Sequence, residues 1–356
     1  MLMITDGLWI GLTKQQVSNT MIDTSVGDLL LSLSVYSIFE SSTLVDTGSS
    51  YTDNDYSISA DVGTEMFGGP YVINWNVTGL NFGYTSLDAI TGSVGGILGI
   101  GYPASEEIEP SYSNFPMILK DQGAISTVMY SIADGRIVFG GIDTLACPGP
   151  LVKTPVALAA TLQGQSTVYQ YTAVTMNSLM LNNTIVSNEK LIMNLDTSSS
   201  LLNVPYSIWI NIDLLMGPQR VRSNGVTYYL KSRVLGTMLT ASITGYNIQF
   251  SLGDIINGEL TSNGIVYVSL DYKVIDVPTA LVGSLPNIIF EKYCVVVDME
   301  TNEILFTEQD AGSDGTVKAV KSGSYPVATS AATSYSATYS KIYINSLETA
   351  IGVNQS

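Results

Sequence analysis

The chain has 356 residues and a formal net charge of −17, from 14 Lys and Arg against 31 Asp and Glu. This length suits two lobes, and the acidity argues against a nucleic-acid partner because an acidic surface repels a phosphate backbone. The sequence has no histidine and only two cysteines, which excludes histidine-based hydrolases, His-ligated zinc and four-cysteine zinc sites. We therefore expect no metal and no cofactor, and chemistry that uses carboxylates, hydroxyls or backbone amides.

Neither end of the chain resembles a targeting signal. Residues 1–16 lack a basic start, an apolar core and a small-residue cleavage site, and residues 341–356 do not form the hydrophobic tail of a GPI-anchor signal. No stretch reaches 18 apolar residues, so we expect no membrane span. The low charged fraction of 13% is nevertheless typical of secreted β-rich proteins, and this contrast favours an incomplete N-terminus.

Short apolar or alternating runs, separated by Gly, Asn, Asp and Ser, predict β-strands along most of the chain. Examples are residues 71–77, 167–174 and 265–270. Only two helices are predicted. The first covers 114–123, with an Asn cap, an early Pro and a final Gly, and the second covers 206–216. The predicted fold class is therefore mainly β.

The chain divides into three predicted parts. An N-terminal lobe over residues 1–152 meets a C-terminal lobe over 153–310 near a pair of prolines. From residue 311 the sequence becomes a Ser- and Thr-rich tract of low complexity, which predicts a flexible tail over 311–356. Two sequons, beginning at Asn76 and Asn182, are candidates for glycosylation.

Six segments carry a recognisable pattern in order along the chain: Val94–Pro103, Asn114–Ile125, Gly135–Asp143, Gly149–Pro155, Tyr293–Asp298 and Asn302–Phe306. Together they resemble pepsin-like (A1 family) aspartic proteases, especially the secreted yeast group that includes the yapsins. The resemblance implies a bilobal pepsin-like fold and an aspartic endopeptidase. It also implies a monomer that binds a peptide or protein substrate in the cleft between its lobes, and an extracellular or cell-wall location.

The chemistry of that family requires two Asp-Thr/Ser-Gly loops, one in each lobe. One carboxylate activates a water molecule and the other protonates the substrate carbonyl. The resemblance identifies Asp196 as the second catalytic residue, because it follows an apolar run over 191–195 and precedes Pro205 at the family's spacing. Ser198 stands where the family has Gly, and we expect its Cβ and hydroxyl to disturb the carboxylate.

The first catalytic residue has three possible positions. Asp46 begins an Asp-Thr-Gly motif, but it lies only 14 residues before Ala60, which occupies the family's flap-tyrosine position. The alignment that we favour instead matches Leu8–Ile10 to the segment that follows the first loop. It puts the catalytic position at Leu2 and leaves the N-terminal lobe incomplete. In the third alternative, Asp6 takes the role.

The flap is expected near residues 56–69, where the resemblance aligns Ala60 with the family tyrosine and Asp61 with a glycine, followed by Gly63. An Ala provides neither an aromatic wall nor a hydroxyl. These departures predict an impaired endopeptidase. The alternative is a catalytically inactive pseudoprotease that binds peptides or cell-wall components.

Two further features depart from the family pattern. Cys147 and Cys294 do not match its usual cysteine pairs, and we expect two buried free thiols rather than a disulfide. The motif that braces the second loop is matched to 281–284, where Ser284 replaces the expected Asp.

Overall fold

The structure is a computed structural model. It describes residues 4–5, 8–53, 58–68, 76–85, 94–108, 110, 112–157, 159–160, 167–169, 171–217, 219–244, 246–275, 282–310, 317–321 and 323–331. Within these residues no helix is both long enough and apolar enough to cross a membrane.

Most of the described chain is β-structure. The strands up to residue 155 are β1 (Ile4–Thr5), β2 (Leu8–Ile10), β3 (Gln15–Val17), β4 (Thr20–Asp23), β5 (Leu29–Ser32), β6 (Val45–Asp53), β7 (Ile58–Gly68), β8 (Asn76–Thr85), β9 (Gly96–Gly99), β10 (Met129–Ala133), β11 (Arg136–Phe139), β12 (Gly141–Asp143) and β13 (Leu151–Pro155). The later strands are β14 (Ala159–Ala160), β15 (Thr167–Val168), β16 (Ala173–Leu181), β17 (Thr184–Ser187), β18 (Leu191–Leu195), β19 (Leu202–Pro205), β20 (Arg220–Ser223), β21 (Val226–Leu230), β22 (Met238–Ile243), β23 (Tyr246–Ser251), β24 (Ile256–Ser262), β25 (Ile265–Leu270), β26 (Tyr272–Ile275), β27 (Val282–Leu285), β28 (Tyr293–Asp298), β29 (Glu303–Glu308), β30 (Val317–Ala319) and β31 (Thr329–Ala331).

The helices are few and short. They are α1 (Phe115–Asp121), α2 (Tyr206–Met216), α3 (Lys231–Leu235) and α4 (Ile289–Lys292), with 3-10 turns at Pro103–Ser105 and Leu252–Ile255. The Asn114 side chain caps α1 by accepting a hydrogen bond from the Met117 N–H at 3.4 Å. Gly217, with φ +81°, follows α2 and ends it. The α1 and α2 helices thus lie where the sequence predicts them.

Each lobe contains a sheet that includes the same arrangement of four neighbouring strands. In the first lobe β4 pairs in parallel with β9, β9 pairs antiparallel with β5, and β5 pairs in parallel with β8. In the second lobe β18, β27, β19 and β26 repeat this parallel, antiparallel, parallel order. The two halves of the chain therefore build the same local topology twice, and β4 and β18 occupy equivalent places in it.

A third sheet joins the lobes, with the strand order β11-β10-β28-β29-β13-β31. Its central strand β28 is buried along its whole length, which agrees with its nearly continuous apolar sequence. One apolar cluster runs through both lobes and includes Phe115, Tyr130 and Phe306, none more than 1% exposed. The mainly β, bilobal architecture expected from the sequence is confirmed.

The predicted strands compare well with the structure, with local differences. Residues 265–270 form β25 as expected, whereas 167–174 are divided between β15 and the start of β16. Of the predicted strand 71–77, only the last two residues are described, and they begin β8.

The prediction of a flexible tail over 311–356 is wrong for residues 317–321 and 323–331. Strand β30 pairs with β12, and β31 pairs in parallel with β13 at the edge of the interlobe sheet. Between them, Val320 is fully buried and the Tyr325 hydroxyl donates to Asp298 Oδ2 at 2.8 Å. This low-complexity tract is ordered for two reasons. Its backbone pairs with open strand edges, and Val320, Tyr325 and Val327 pack in an apolar cluster.

The expectation of two free thiols is also wrong. Cys147 and Cys294 form a disulfide, with their Cα atoms 5.4 Å apart. Both residues are fully buried in the apolar cluster beneath β30 and β31. A sequence separation of 147 residues hid this proximity, because only the packing of the two lobes brings the cysteines together.

Candidate active site

Two Asp-Thr-Ser loops occupy equivalent places in the lobes. Asp23 ends β4 and is followed by Thr24 and Ser25, while Asp196 comes directly after β18 and is followed by Thr197 and Ser198. Each supporting strand is buried along its length and lies beside a parallel partner strand. The backbone therefore holds both loops at the same point of the repeated topology.

Reciprocal hydrogen bonds join the two loops. The Thr24 N–H donates to Thr197 Oγ1 and the Thr197 N–H donates to Thr24 Oγ1, both at 3.2 Å. Each threonine hydroxyl then donates across the interface to a carbonyl, Thr24 to Leu195 at 2.5 Å and Thr197 to Ile22 at 2.7 Å. Both threonines are fully buried, so these four bonds fix the loops against each other without competition from water.

The serine of each loop hydrogen-bonds to the carboxylate that precedes it. Asp23 Oδ1 accepts from the Ser25 N–H at 2.7 Å and from the Ser25 hydroxyl at 2.5 Å. Asp196 Oδ1 accepts from the Ser198 N–H at 2.7 Å and from the Ser198 hydroxyl at 2.6 Å. The two carboxylates are therefore oriented in the same way.

The expectation that Ser198 disturbs its carboxylate is wrong in this geometry. Neither Ser25 nor Ser198 has a positive φ, so a Cβ causes no backbone strain at either position. The hydroxyl turns toward the Asp oxygen and adds a donor to it. Because the same replacement occurs in both loops, the symmetry of the pair is kept.

A second layer of hydrogen bonds holds the loops from below. Thr172 Oγ1 donates to the Thr24 carbonyl at 2.9 Å and lies 3.3 Å from the Tyr130 hydroxyl. Burial raises the pKa of Tyr130, which therefore remains a neutral hydroxyl. On the other side, Asn287 donates from its backbone to Ser199 O at 2.9 Å and from its side chain to Thr197 O at 3.4 Å.

The brace of the second loop thus differs from the one predicted. Asn287, three residues after Ser284, contacts the Asp196 loop, whereas Ser284 accepts a hydrogen bond from the Asn203 side chain at 2.6 Å. The bracing motif of the family places two apolar residues and a Gly before its Asp. Residues 281–283 fit that pattern, whereas Ser284-Leu285-Pro286, which precede Asn287, do not, so the sequence match was made three residues too early.

A buried carboxylate lies five residues after Asp23. Asp28 is 2% exposed and accepts hydrogen bonds from the Glu107 N–H at 2.6 Å and the Tyr112 hydroxyl at 2.8 Å. Burial raises the pKa of Asp28, although these hydrogen bonds oppose the shift. Its backbone carbonyl accepts from the Gly99 N–H at 2.9 Å, so Asp28 supports the first loop from within the lobe.

The structure does not bring Asp46 to the Asp196 loop. Asp46 is an exposed residue of β6, where it accepts a hydrogen bond from the Gly48 N–H at 2.8 Å and contacts Tyr84. Among the described residues its contacts stay within the first lobe. Position 2 and Asp6, the other two candidates for the first carboxylate, lie outside the described residues.

The alignment of Leu8–Ile10 with the segment after the first loop is also wrong. Leu8–Ile10 forms β2, which pairs with β3 and β7 toward the far side of the sheet from β4. The strand that follows the Asp23 loop is β5. Sequence reasoning therefore missed Asp23. The signal that identifies it is the repetition of Asp-Thr-Ser at 23–25 and 196–198, each time after an apolar run.

The predicted flap residues lie in the hairpin formed by β6 and β7, whose tip at 54–57 is outside the described residues. Ala60 is buried and pairs with Tyr51, whereas Asp61 is exposed and pairs with Ser50. Gly63 pairs with Asp46. All three predicted flap residues therefore belong to the returning strand of this hairpin.

Comparison with known proteins places this chain in a family. The sequence profile of the eukaryotic aspartyl protease family matches residues 8–309. The chain is 30% identical over 207 residues to aspartic proteinase 3 of Saccharomyces cerevisiae, which covers 51% of this chain and 34% of that protein. It is 31% identical over 171 residues to candidapepsin-3 of Candida albicans, covering 41% of this chain and 42% of that protein.

The solved structures agree at the level of the fold. The aspartic proteinase from Irpex lacteus superposes with a TM-score of 0.69 at 17% identity, covering 86% of this chain and 94% of that one. The matched regions span less than half of the length of the two curated relatives. Since the family profile covers most of the chain, this protein belongs to the eukaryotic, pepsin-like family of aspartyl proteases.

Proposed function

We propose that this protein is an aspartic endopeptidase whose catalytic pair is Asp23 and Asp196. The observation that carries the proposal is the set of reciprocal bonds between Thr24 and Thr197, which fixes two equivalent Asp-Thr-Ser loops side by side. This pairing supplies a first catalytic carboxylate, which is missing from the alignment that puts the catalytic position at Leu2. It therefore supports a competent site rather than an impaired one.

In the proposed reaction the two carboxylates hold a water molecule between them. One carboxylate takes a proton from the water, which attacks the peptide carbonyl, while the other, protonated, donates to the carbonyl oxygen. Ser25 and Ser198 each keep one oxygen of their Asp in a fixed direction. The chemistry uses no histidine, in agreement with the composition.

The substrate is proposed to be an extended peptide or protein segment that lies in the cleft between the lobes, under the β6–β7 hairpin as the flap. A monomer is sufficient for this role, because both loops come from one chain. An extracellular or cell-wall location is supported by relatives such as secreted aspartic protease 3 of Candida albicans.

The test compares three Asp→Asn variants of the full chain in an acidic peptidase assay with a panel of quenched fluorescent peptides. Asp23→Asn and Asp196→Asn are expected to lower kcat/KM by about 10²- to 10⁴-fold, the typical contribution of one positioned acid or base. Asp46→Asn is the matched control, because it alters the exposed Asp-Thr-Gly motif at the end of the β6–β7 hairpin farthest from its tip, and it is expected to leave the rate unchanged.

Loss of activity in Asp46→Asn, or full activity in Asp23→Asn, would contradict the assignment. A wild-type protein that binds extended peptides or a pepstatin-like inhibitor in calorimetry, but turns over no peptide, would instead support the pseudoprotease alternative. In that outcome the paired Asp-Thr-Ser loops serve binding alone.

A further inference from the structure

A groove on the C-terminal lobe shares no residue with the two Asp-Thr-Ser loops. Its volume is about 450 Å³, within the size range of small-molecule sites. Leu181 and Leu215 contribute apolar surface, and Thr184, Ser232 and Arg233 contribute hydroxyl and guanidinium groups. Asn182, the first residue of a glycosylation sequon, itself lines the groove.

We propose that Asn182 carries an N-linked glycan and that this groove seats its first N-acetylglucosamine units. The proposal rests on the extracellular location proposed above, since N-linked glycans are added in the secretory pathway. It does not depend on whether the protein is an active protease.

The local backbone presents Asn182 in a suitable way. Asn182 and Asn183 form the turn between β16 and β17 with φ of +46° and +66°, a left-handed conformation that Asn tolerates better than most residues. Asn182 is exposed, and its sequon partner Thr184 is exposed as well. A hairpin turn of this kind is accessible to a modifying enzyme and leaves room for a bulky attachment.

Two hydrogen bonds fix the direction of the Asn182 side chain. The Asn182 N–H donates to the Met238 carbonyl at 2.9 Å, and Asn182 Oδ1 accepts from the Met238 N–H at 2.8 Å. Glycosylation takes place on Nδ2 and leaves Oδ1 free to accept. Both hydrogen bonds therefore persist in the modified protein, and the first sugar starts from a defined position at the lip of the groove.

The groove has the chemistry that an N-acetylated sugar requires. The exposed Ser232 hydroxyl and the Arg233 side chain can bond sugar hydroxyls and the acetamide carbonyl, while the two leucines contact the acetyl methyl and the ring face. Arg233 already donates to the Leu215 carbonyl at 2.8 Å, which holds its guanidinium in place.

Exposed apolar residues adjoin the groove residues in sequence. Ile185 is 56% exposed, Leu214 67% and Leu235 55%. An exposed apolar side chain is stabilised when another group shields it from water. We expect a glycan on Asn182 to shield part of these three side chains, because each is next in sequence to a residue that lines the groove.

The test is a deglycosylation experiment on the full chain, secreted from a high-mannose eukaryotic host by a heterologous leader. Peptide mapping is expected to find a glycan on Asn182. Endoglycosidase H is expected to remove the glycan about ten-fold more slowly from the native than from the denatured protein. This factor is equivalent to a free energy of about 1.4 kcal/mol for release of the glycan from the groove. A glycan on Asn76 serves as the control, because it gives the trimming rate in the native protein for a glycan that does not lie in the groove.

Three variants make the outcome specific. Thr184→Ser keeps the sequon and is expected to behave like the parent, whereas Thr184→Ala removes the sequon and is expected to speed hydrogen exchange over residues 232–238. Ser232→Trp fills the groove from an exposed position and is expected to abolish the slow trimming. The hydrogen-exchange comparison needs no groove-filling variant, so it stands even if Ser232→Trp folds poorly.

An unmodified Asn182 in the secreted protein would overturn the proposal. If the native and denatured proteins were trimmed at equal rates and Thr184→Ala left hydrogen exchange unchanged, the proposed binding of the glycan in the groove would be wrong. Neither readout uses peptidase activity or the native location, so these failures are distinct from a failure of the proposed function.

Discussion

Thr24 and Thr197 each donate a hydroxyl to the opposite lobe and accept a backbone N–H from it. Their positions differ by 173 residues in sequence, yet their contacts are mutually equivalent. A serine could make the same hydrogen bonds, but an alanine could make none of them through its side chain. The relative position of the two Asp-Thr-Ser loops therefore depends on two buried hydroxyl groups.

We expect Thr24→Ala to lower the free energy of unfolding by about 1–3 kcal/mol, because it leaves the buried Leu195 carbonyl and Thr197 N–H without their partner. Peptidase activity is expected to fall as well, since the first loop loses its anchor. Urea unfolding and kcat/KM measure the two effects. Thr24→Ser keeps the hydroxyl and serves as the control; equal stability of the Ala and Ser variants would refute this role.

Asp28 predicts a pH dependence of stability. Burial raises its pKa above the usual value of 3.8, so the folded state favours the protonated carboxyl. The stability that this group contributes is therefore fully present below pH 3.8 and is lost as the pH rises through the raised pKa. Asp28→Asn cannot ionise and is expected to lose this dependence.

The measurement is urea unfolding of the parent and of Asp28→Asn on both sides of pH 3.8. The stability of the variant relative to the parent is expected to increase with pH. Differences between mutant and parent are compared because the many other carboxylates contribute equally to both proteins. Parallel stability curves for the two proteins would show that Asp28 does not titrate as proposed.

At the scale of elements, the disulfide joins the strand β28 of the interlobe sheet to the loop that follows β12. It closes a loop of 147 residues that contains much of the second lobe. A cross-link of this span restricts the unfolded chain strongly and lowers its entropy. The bond therefore disfavours the unfolded state chiefly through the segment between Cys147 and Cys294, which includes most of the second lobe.

Replacing both cysteines by alanine is expected to lower the free energy of unfolding by about 2–4 kcal/mol. Denaturant unfolding of the double variant measures the loss. Comparison with the reduced parent separates the cross-link from the packing of the two sulfur atoms in the buried cluster. If the oxidised and reduced parent unfold at the same denaturant concentration, the cross-link contributes nothing.

At the scale of the whole molecule, residues 317–321 and 323–331 act as a strap across the interlobe sheet. β30 pairs with a strand of the first lobe, and β31 pairs with the crossover strand β13. Tyr325 adds a hydrogen bond to buried Asp298, and burial together with this neighbouring carboxylate raises the pKa of Tyr325 and keeps it a donor. Lys153 Nζ lies 4.9 Å from the Tyr325 ring centre, which adds a cation–π contact.

Truncation after Asp310 is therefore expected to destabilise the protein, because loss of the buried Val320 alone removes about 1.5–3 kcal/mol of apolar burial. Thermal unfolding measures the effect. Truncation after Ala331 keeps the strap and is the matched control, with an unchanged midpoint expected. Two truncations with equal midpoints would show that the strap does not stabilise the lobes.

Much of the fold could be predicted from local sequence. The helices α1 and α2 begin and end at capping residues that stand next to them in the chain, and the strand-rich pattern requires only short-range alternation. The ordered segments that resemble pepsin-like proteases identified the family and placed Asp196 after a buried strand, where the structure has it. These features are encoded within a few residues of one another.

The sequence alone thus determined the family, the mainly β architecture, the two longer helices and the loop at Asp196. Only the tertiary structure decided that the loop at Asp23, and not the better-matching motif at Asp46, contacts that loop. It also decided the disulfide and the ordered strap. These three features are contacts between residues that are far apart in the chain. A local pattern carries no distance information about such contacts, so they become visible only once the two lobes pack together.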